Sequence, residues 1–214
     1  MPHDHPHGPT IDPERLLHYQ NMATAVRELL IEKGILTETL FETKIKEMED
    51  RGPALGARMI AKAWTDSEYK ARLLSNGSAA AEELSIPVDG THLIVLENTK
   101  DIHNLVVCTL CSCYPRNILG LPPDWYKKRP YRARAIKEPR EVLNEFGTIL
   151  PNSTSVYVHD STADMRYLVL PLRPAGAEGW SEDDLAALVT RDSMIGVSMA
   201  KDPTIPTRSK KKEP

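Results

Sequence analysis

The sequence has no apolar run approaching the roughly 20 residues that a membrane-spanning helix needs. Its first nine residues are polar and His-rich, unlike the apolar stretch of a secretory signal. A membrane protein is excluded on this reading, and a cytoplasmic location is expected. An excess of one charge is missing as well: 27 Lys and Arg stand against 30 Asp and Glu, for a net charge of -3. A dedicated nucleic-acid binder needs a basic face to neutralise phosphates, so that class is set aside. No internal repeat is present. Cysteine is scarce: there are 3, all between Cys108 and Cys113. A disulfide framework joins cysteines across a fold, which three in one hexapeptide cannot do, so metal or redox chemistry is the better reading. What the chain does have is 214 residues, 41% of them hydrophobic. That suffices for one large domain or two small ones burying about 70% of the unfolded surface, and it excludes disorder.

Periodicity divides the chain. Residues 1–11, with His3, His5 and His7, read as a solvated tail. Asp12-Pro13 marks a helix start, and Leu16, Tyr19, Ala23, Val26 and Leu30 recur at helical spacing up to Gly34. Thr37 opens a second helix carrying Leu40, Phe41, Ile45 and Met48, which Gly52-Pro53 ends. Ala57, Ile60, Ala61 and Trp64 mark a third. Thr65 with Glu68 fits a capping box for a fourth that stops at Asn76-Gly77, and residues 78–84 read as an Ala-rich turn. Then the pattern changes to short β-branched runs at residues 92–97, 105–110, 156–158 and 166–170, which predict four strands. Between the strand pairs, residues 124–146 read as basic helical segments interrupted at Pro130 and Pro139. Ser181 caps a last helix with Leu185, Leu188 and Val189. Residues 201–214, with Lys210, Lys211 and Lys212, read as a disordered basic tail. The fold class expected is α+β: a helical N-terminal segment over residues 12–85, then an α+β body over residues 86–200.

The cysteines follow the apolar run Leu105-Val106-Val107 in the string Cys108-Thr109-Leu110-Cys111-Ser112-Cys113. Thiolates are soft ligands, and three so close can share one ion if the backbone folds into a tight claw. Cys111 and Cys113 are separated by one residue, so if both sulfurs reach one metal, the amide nitrogens of Ser112 and Cys113 enter its coordination shell. Such donors favour a trivalent, square-based site over tetrahedral zinc. Zinc would need a fourth protein ligand, and only His103 stands nearby. Three buried, inert cysteines remain the other reading.

The longer string Val107 to Cys113, with Tyr114-Pro115 and Leu119-Gly120-Leu121-Pro122-Pro123, resembles the metal-binding segment of nitrile hydratase α subunits. Similar segments follow in the family's order over residues 14–197. They include Gly56-Ala57, Ala61-Lys62-Ala63-Trp64-Thr65-Asp66, Glu97-Asn98-Thr99, Tyr131-Arg132, Glu138-Pro139-Arg140, Val169-Leu170-Pro171, Arg173-Pro174-Ala175-Gly176 and the run from Val189 to Val197. The resemblance implies a metal held by Cys108 as axial thiolate, by Cys111 as sulfinate and Cys113 as sulfenate, and by the amides of Ser112 and Cys113. Oxidised sulfurs of this kind are early rungs of the cysteine oxidation ladder, held there by ligation. Thr109, where iron members carry Ser, matches the cobalt branch, so Co(III) is expected ahead of Fe(III). The resemblance also implies hydration of a nitrile, with Cys113 as the catalytic side chain and Ser112 steadying it. It implies a β subunit, as one chain or two, whose arginines pair with the oxidised cysteines, and a cobalt-insertion activator protein. The fold it implies is a helical arm embracing that subunit and a layered α-β-β-α body.

Three departures stand out. Arg116-Asn117 replaces the Trp and Pro that most nitrile hydratases have after Tyr114-Pro115. A guanidinium in the pocket wall favours an anionic or hydrogen-bonding substrate, and Arg here resembles the γ subunit of thiocyanate hydrolase. The His-rich start and Ala25-Val26-Arg27-Glu28-Leu29 point the same way, whereas the short stretch between Leu84 and Glu97 matches nitrile hydratases. Arg116 is equally readable as an ion-pair partner for another subunit. Asp89-Gly90 stands in place of a family Gln-Gly, which puts Asp89 beside the pocket or on a surface turn. His159 takes the place of a family Trp and reads as packing, as do Tyr114, Trp125 and Tyr126. A non-catalytic metal-binding module is the remaining, less favoured reading.

Overall fold

The computed structural model describes residues 13–49, 51–88 and 90–203. The N-terminal tail, all but residues 201–203 of the C-terminal one, Asp12 and Asp89 therefore lie outside the described residues. Among these, five helices come first: α1 Pro13–Glu32, α2 Glu38–Glu49, α3 Ala54–Thr65, α4 Ser67–Ser75 and α5 Gly77–Glu83. Strands β1 His92–Glu97 and β2 Ile102–Val107 follow, then four short helices, α6 Arg116–Leu119, α7 Asp124–Lys127, α8 Arg129–Lys137 and α9 Pro139–Glu145. The chain returns through β3 Ser155–Asp160 and β4 Met165–Leu170 to α10 Glu182–Leu188 and α11 Arg191–Ile195. The mixture of helices with small sheets is the α+β class expected.

The strands do not pair in chain order. β1 pairs in parallel with β4 and β2 in parallel with β3, giving two two-stranded sheets. Parallel pairing is sustained by cover on both faces, and β2 shows it: His103 through Val107 are all buried. The hydrophobic cluster to which it belongs also draws Met59 and Ile60 from α3, Tyr69 and Leu73 from α4, Ala80 and Ala81 from α5, and Leu168 and Val169 from β4. Helices α3–α5 thus share one hydrophobic cluster with the strands. A smaller cluster joins Ala61 of α3 to Leu185 and Leu188 of α10.

α1 and α2 differ. Leu16, Leu17, Tyr19, Met22, Val26 and Leu29 on α1 and Leu40, Ile45 and Met48 on α2 are exposed. The two helices hold each other through an Arg27–Glu38 ion pair and the Arg27 guanidinium 4.6 Å over the Phe41 ring.

Several local expectations are corrected. Thr65 is not a cap: it is the last residue of α3, and its hydroxyl donates back to the Lys62 carbonyl at 3.1 Å. The cap of α4 is Asp66, whose carboxylate accepts from the Tyr69 amide at 2.9 Å. A carboxylate is as good a cap as a hydroxyl, so two adjacent candidates were indistinguishable in sequence. The Ala-rich stretch is helix α5, because the Asn76 side chain caps it through the Ala79 amide. β2 begins earlier than expected and stops at Val107, which leaves Cys108 onward as a loop. The breaks between basic helices fall at Lys128 and Glu138, with Pro130 and Pro139 inside the first turns that follow. α6 and α11 were missed as helices.

α11 locks the body from behind. Gly196 ends it with φ 91, in the left-handed region, and a Cβ there would lie 2.0 Å from the Asn104 carbonyl oxygen of β2. The Gly196 carbonyl in turn accepts from His103 Nε2 at 2.7 Å. The other ring nitrogen of His103 faces the Asn98 amide at 3.3 Å. Asn98 also accepts from the Asn104 amide at 2.7 Å, and Asn104 Oδ1 accepts from His159 Nε2 at 2.9 Å. A buried polar chain therefore ties α11, β2 and β3 together. Burial holds both imidazoles below the usual histidine range.

Candidate metal centre

The end of β2 delivers Cys108 into the interior with no exposed surface, whereas Cys111 is exposed and Cys113 half-buried. The loop between them doubles back. Cys108 and Cys111 sulfurs are 3.6 Å apart, and those of Cys111 and Cys113 are 3.3 Å apart. All three lie within 4.8 Å of one another, and among the described residues no His, Asp or Glu joins the group. The backbone turns inward too. The Cys111 amide donates to Cys108 Sγ at 3.3 Å, and the Ser112 and Cys113 amides help to lower the Cys111 thiol.

These donors decide where negative charge settles. The Cys111 thiol is pulled down to about 7, first by donation from Cys113 and then by the Ser112 amide. The Cys113 thiol is pushed up to about 12, first by burial and then by sharing its proton with Cys111. Of these two thiols, Cys111 is thus the one that more readily ionises. The donor set fits a soft, multivalent metal: three sulfurs lie within 4.8 Å of one another, with the Ser112 and Cys113 amides in the same loop. It does not fit tetrahedral zinc, because His103 is committed to Gly196 and Asn98 rather than to the sulfurs.

Side chains from distant elements hold the loop. Asp160, the last residue of β3, accepts from the Thr109 amide at 2.9 Å and from the Thr109 hydroxyl at 2.5 Å. The parallel register pairs Val107 with Asp160 and so sets that carboxylate beside the loop. Arg132 of α8 donates through one nitrogen to the Thr109 carbonyl at 3.3 Å and the Cys111 carbonyl at 3.0 Å. The buried Tyr126 hydroxyl of α7 donates to the Cys113 carbonyl at 2.9 Å. Behind it stand Tyr114, Trp125, Tyr131 and Phe146, edge to face, in agreement with the packing role expected for Tyr114, Trp125 and Tyr126.

A cavity of about 440 Å³ opens over Cys111, Ser112 and Cys113. Arg51, Arg116 and Arg166 line it, with Leu93 and Ile118 among the apolar walls. Arg116 lines this cavity with the cysteines, and Asp89 is outside the described residues. His159 is a packing residue: it bonds Asn104 and stacks on Tyr167 at 5.4 Å. Sequence reasoning did not single out Arg132, Asp160, Tyr126 or Arg166 as site residues. The Tyr131-Arg132 pair was a resemblance signal that could have found the first, but nothing local marks the others.

Fold and site define a mixed helix and small-sheet protein built around a Cys-X-X-Cys-X-Cys cluster. The chain belongs to the nitrile hydratase family, as its α chain: the family model for nitrile hydratase, alpha chain, matches residues 18–198. The chain is 51% identical to the cobalt-containing nitrile hydratase subunit alpha of Pseudonocardia thermophila, over 83% of this chain and 88% of that one. It is 41% identical to the thiocyanate hydrolase subunit gamma of Thiobacillus thioparus, over 88% of this chain and 82% of that one. A solved double mutant of the Fe-type nitrile hydratase from Comamonas testosteroni Ni1 superposes with a TM-score of 0.81, at 44% identity, covering 92% of this chain and 96% of that one.

Proposed function

We propose that the chain is the metal-bearing α subunit of a cobalt nitrile hydratase that hydrates a nitrile to its amide. The observation that carries this reading is the convergence of three sulfurs within 4.8 Å of one another at a cavity lined by both apolar side chains and arginines. Cys108, Cys111 and Cys113, with the amides of Ser112 and Cys113, would hold the ion. Bound there, trivalent cobalt supplies Lewis-acid polarisation of the substrate's carbon-nitrogen bond, with Fe(III) the second choice. Cys111 is assigned as sulfinic and Cys113 as sulfenic acid. Cys113 lines the cavity; as the sulfenate it would present an oxygen to the substrate carbon, with Ser112 donating a hydrogen bond to it. Arg116 and the unplaced Asp89 are assigned to the substrate pocket.

The helical segment over residues 12–85 presents partner surface, chiefly along α1 and α2, whose apolar side chains have no cover of their own. A β subunit, as one chain or two, would cover it and add arginines to the oxidised sulfurs, and the body over residues 86–200 would complete a layered α-β-β-α arrangement. Cobalt insertion by an activator protein and a cytoplasmic location belong to the same reading. No helix among the described residues is long and apolar enough to cross a membrane.

One observation favours a second reading, a thiocyanate hydrolase-like enzyme releasing carbonyl sulfide and ammonia. Arg51, Arg116 and Arg166 line one cavity, which suits a small anion. The test is to purify the chain with its partner and measure cobalt, cysteine oxygenation by mass spectrometry, and turnover of acrylonitrile against thiocyanate. Cobalt with oxygen on Cys111 and Cys113 and acrylonitrile turnover is expected. A chain without cobalt and without added oxygen sinks the enzyme reading, and a thiocyanate preference overturns the first choice in favour of the second. Arg116→Trp is expected to shift preference toward apolar nitriles; unchanged selectivity would mean Arg116 does not contact substrate.

A further inference from the structure

The loop bearing the sulfurs has no regular structure of its own, so something outside it must fix the directions of its peptide groups. A trans peptide is planar, with its C=O and N–H pointing to opposite sides. Whatever grips a carbonyl oxygen therefore aims the next residue's N–H. The oxygen of Cys111 is gripped by Arg132, at 3.0 Å, so the N–H of Ser112, the other half of that same peptide, points away from Arg132, and that amide is one of the groups that lower the Cys111 thiol. The same guanidinium nitrogen holds the Thr109 carbonyl at 3.3 Å, and Asp160 holds the amide and hydroxyl of Thr109 from the other side. A charge-assisted bond is stronger than a neutral one and fixes direction as well as position.

We infer that Arg132 is a positioning residue of the centre: by clamping the Thr109 and Cys111 carbonyls, it turns the Ser112 amide toward the three sulfurs and so prepares the site for metal. This rests on the reading of the three cysteines as a metal claw. It adds that the claw is not self-sufficient. Its spacing supplies the donors, but a cation 21 residues downstream of Cys111, on another element, sets one of them in place. Arg132 does not touch substrate in this scheme. Its effect is on metal affinity and cysteine oxygenation, which a role in packing alone would leave unchanged in protein that is still folded.

The test uses the complete enzyme expressed with its partner, comparing wild type with Arg132→Met, Arg132→Gln and Arg132→Lys. For each, cobalt per chain, retention against a competing chelator, oxygen on Cys111 and Cys113 by mass spectrometry, and the thermal midpoint are measured. Arg132→Met is expected to weaken retention by about tenfold or more, the usual effect of removing a group that orients a ligand. Its cysteine oxygenation should fall in step, in material that is folded at the assay temperature. Arg132→Lys, which keeps a cationic donor within reach of both carbonyls, is expected to restore most of the loss. Cobalt retention and oxygenation equal to wild type in Arg132→Met overturn the inference while leaving the metal reading intact. Where Arg132→Met does not fold, Arg132→Gln decides by the same criterion. Wild-type enzyme free of cobalt overturns both.

Discussion

The helices α1 and α2 and the body that follows them solve opposite problems with similar side chains. Leu17 on α1 is 57% exposed, whereas Leu105 on β2 has no exposed surface. Both regions were legible as periodic apolar patterns, and periodicity says only that a face exists, not what covers it. In the body the cover is internal: strands, helices α3–α5 and α11 close on one cluster. On α1 and α2 it is missing, which is why a partner is the proposed cover. An apolar face costs nothing to keep wherever binding repays it, so one composition serves a core and an interface alike.

That contrast can be broken most sharply at two glycines. Gly196→Ala should cost the isolated chain at least about 4 kcal/mol, because a left-handed φ and a backbone oxygen 2.0 Å from the new Cβ act together. Gly34→Ala, where φ is 67 and nothing lies within 4 Å, should cost about 1 kcal/mol from backbone strain alone. Urea unfolding of both variants checks this, and equal losses would mean that the body is not the stable unit. Next comes Leu105→Ala, expected to lose about 3 kcal/mol as a core cavity. Leu17→Ala should change the isolated chain by less than about 0.5 kcal/mol and instead weaken capture of the β subunit in pull-down titrations.

The smallest effect is on pH. Burial holds the His103 imidazole below the usual histidine value of 6.5, so the folded state resists a proton that the unfolded state accepts. Stability is then full above that value and declines as pH falls below it, because the unfolded state binds more protons. Urea midpoints between pH 8 and pH 5 should show that decline, and His103→Gln should flatten it. A slope unaltered by the substitution would assign the decline to other groups, His159 first.

How much of this was legible follows from range. Helix starts such as Ser181, whose hydroxyl accepts from the Asp184 amide, were readable because a cap and its target lie three residues apart. The α4 cap was misplaced by one residue for the same reason: Thr65 and Asp66 are both capping types, and only backbone geometry chose between them. Strand positions were readable from β-branched runs, yet nothing in those runs announced that β1 would pair with β4 and β2 with β3. Chain-adjacent strands usually neighbour one another. Here a buried polar chain from Asn98 to His159 and the body of α11 support the alternative.

The centre divides along the same line. The convergence of Cys108, Cys111 and Cys113 was legible in the sequence, because it needs only a loop of six residues. The sequence also determined the class of protein, because its three cysteines stand in one uninterrupted string. Tertiary structure alone decided what steadies that string: Asp160 arrives through the register of β2 on β3, and Arg132 and Tyr126 through helices packed behind it, while Arg166 from the far sheet lines the cavity above. The loop-holding contacts span 13 to 51 residues, and their geometry comes from the packing of whole elements, which no local spacing encodes.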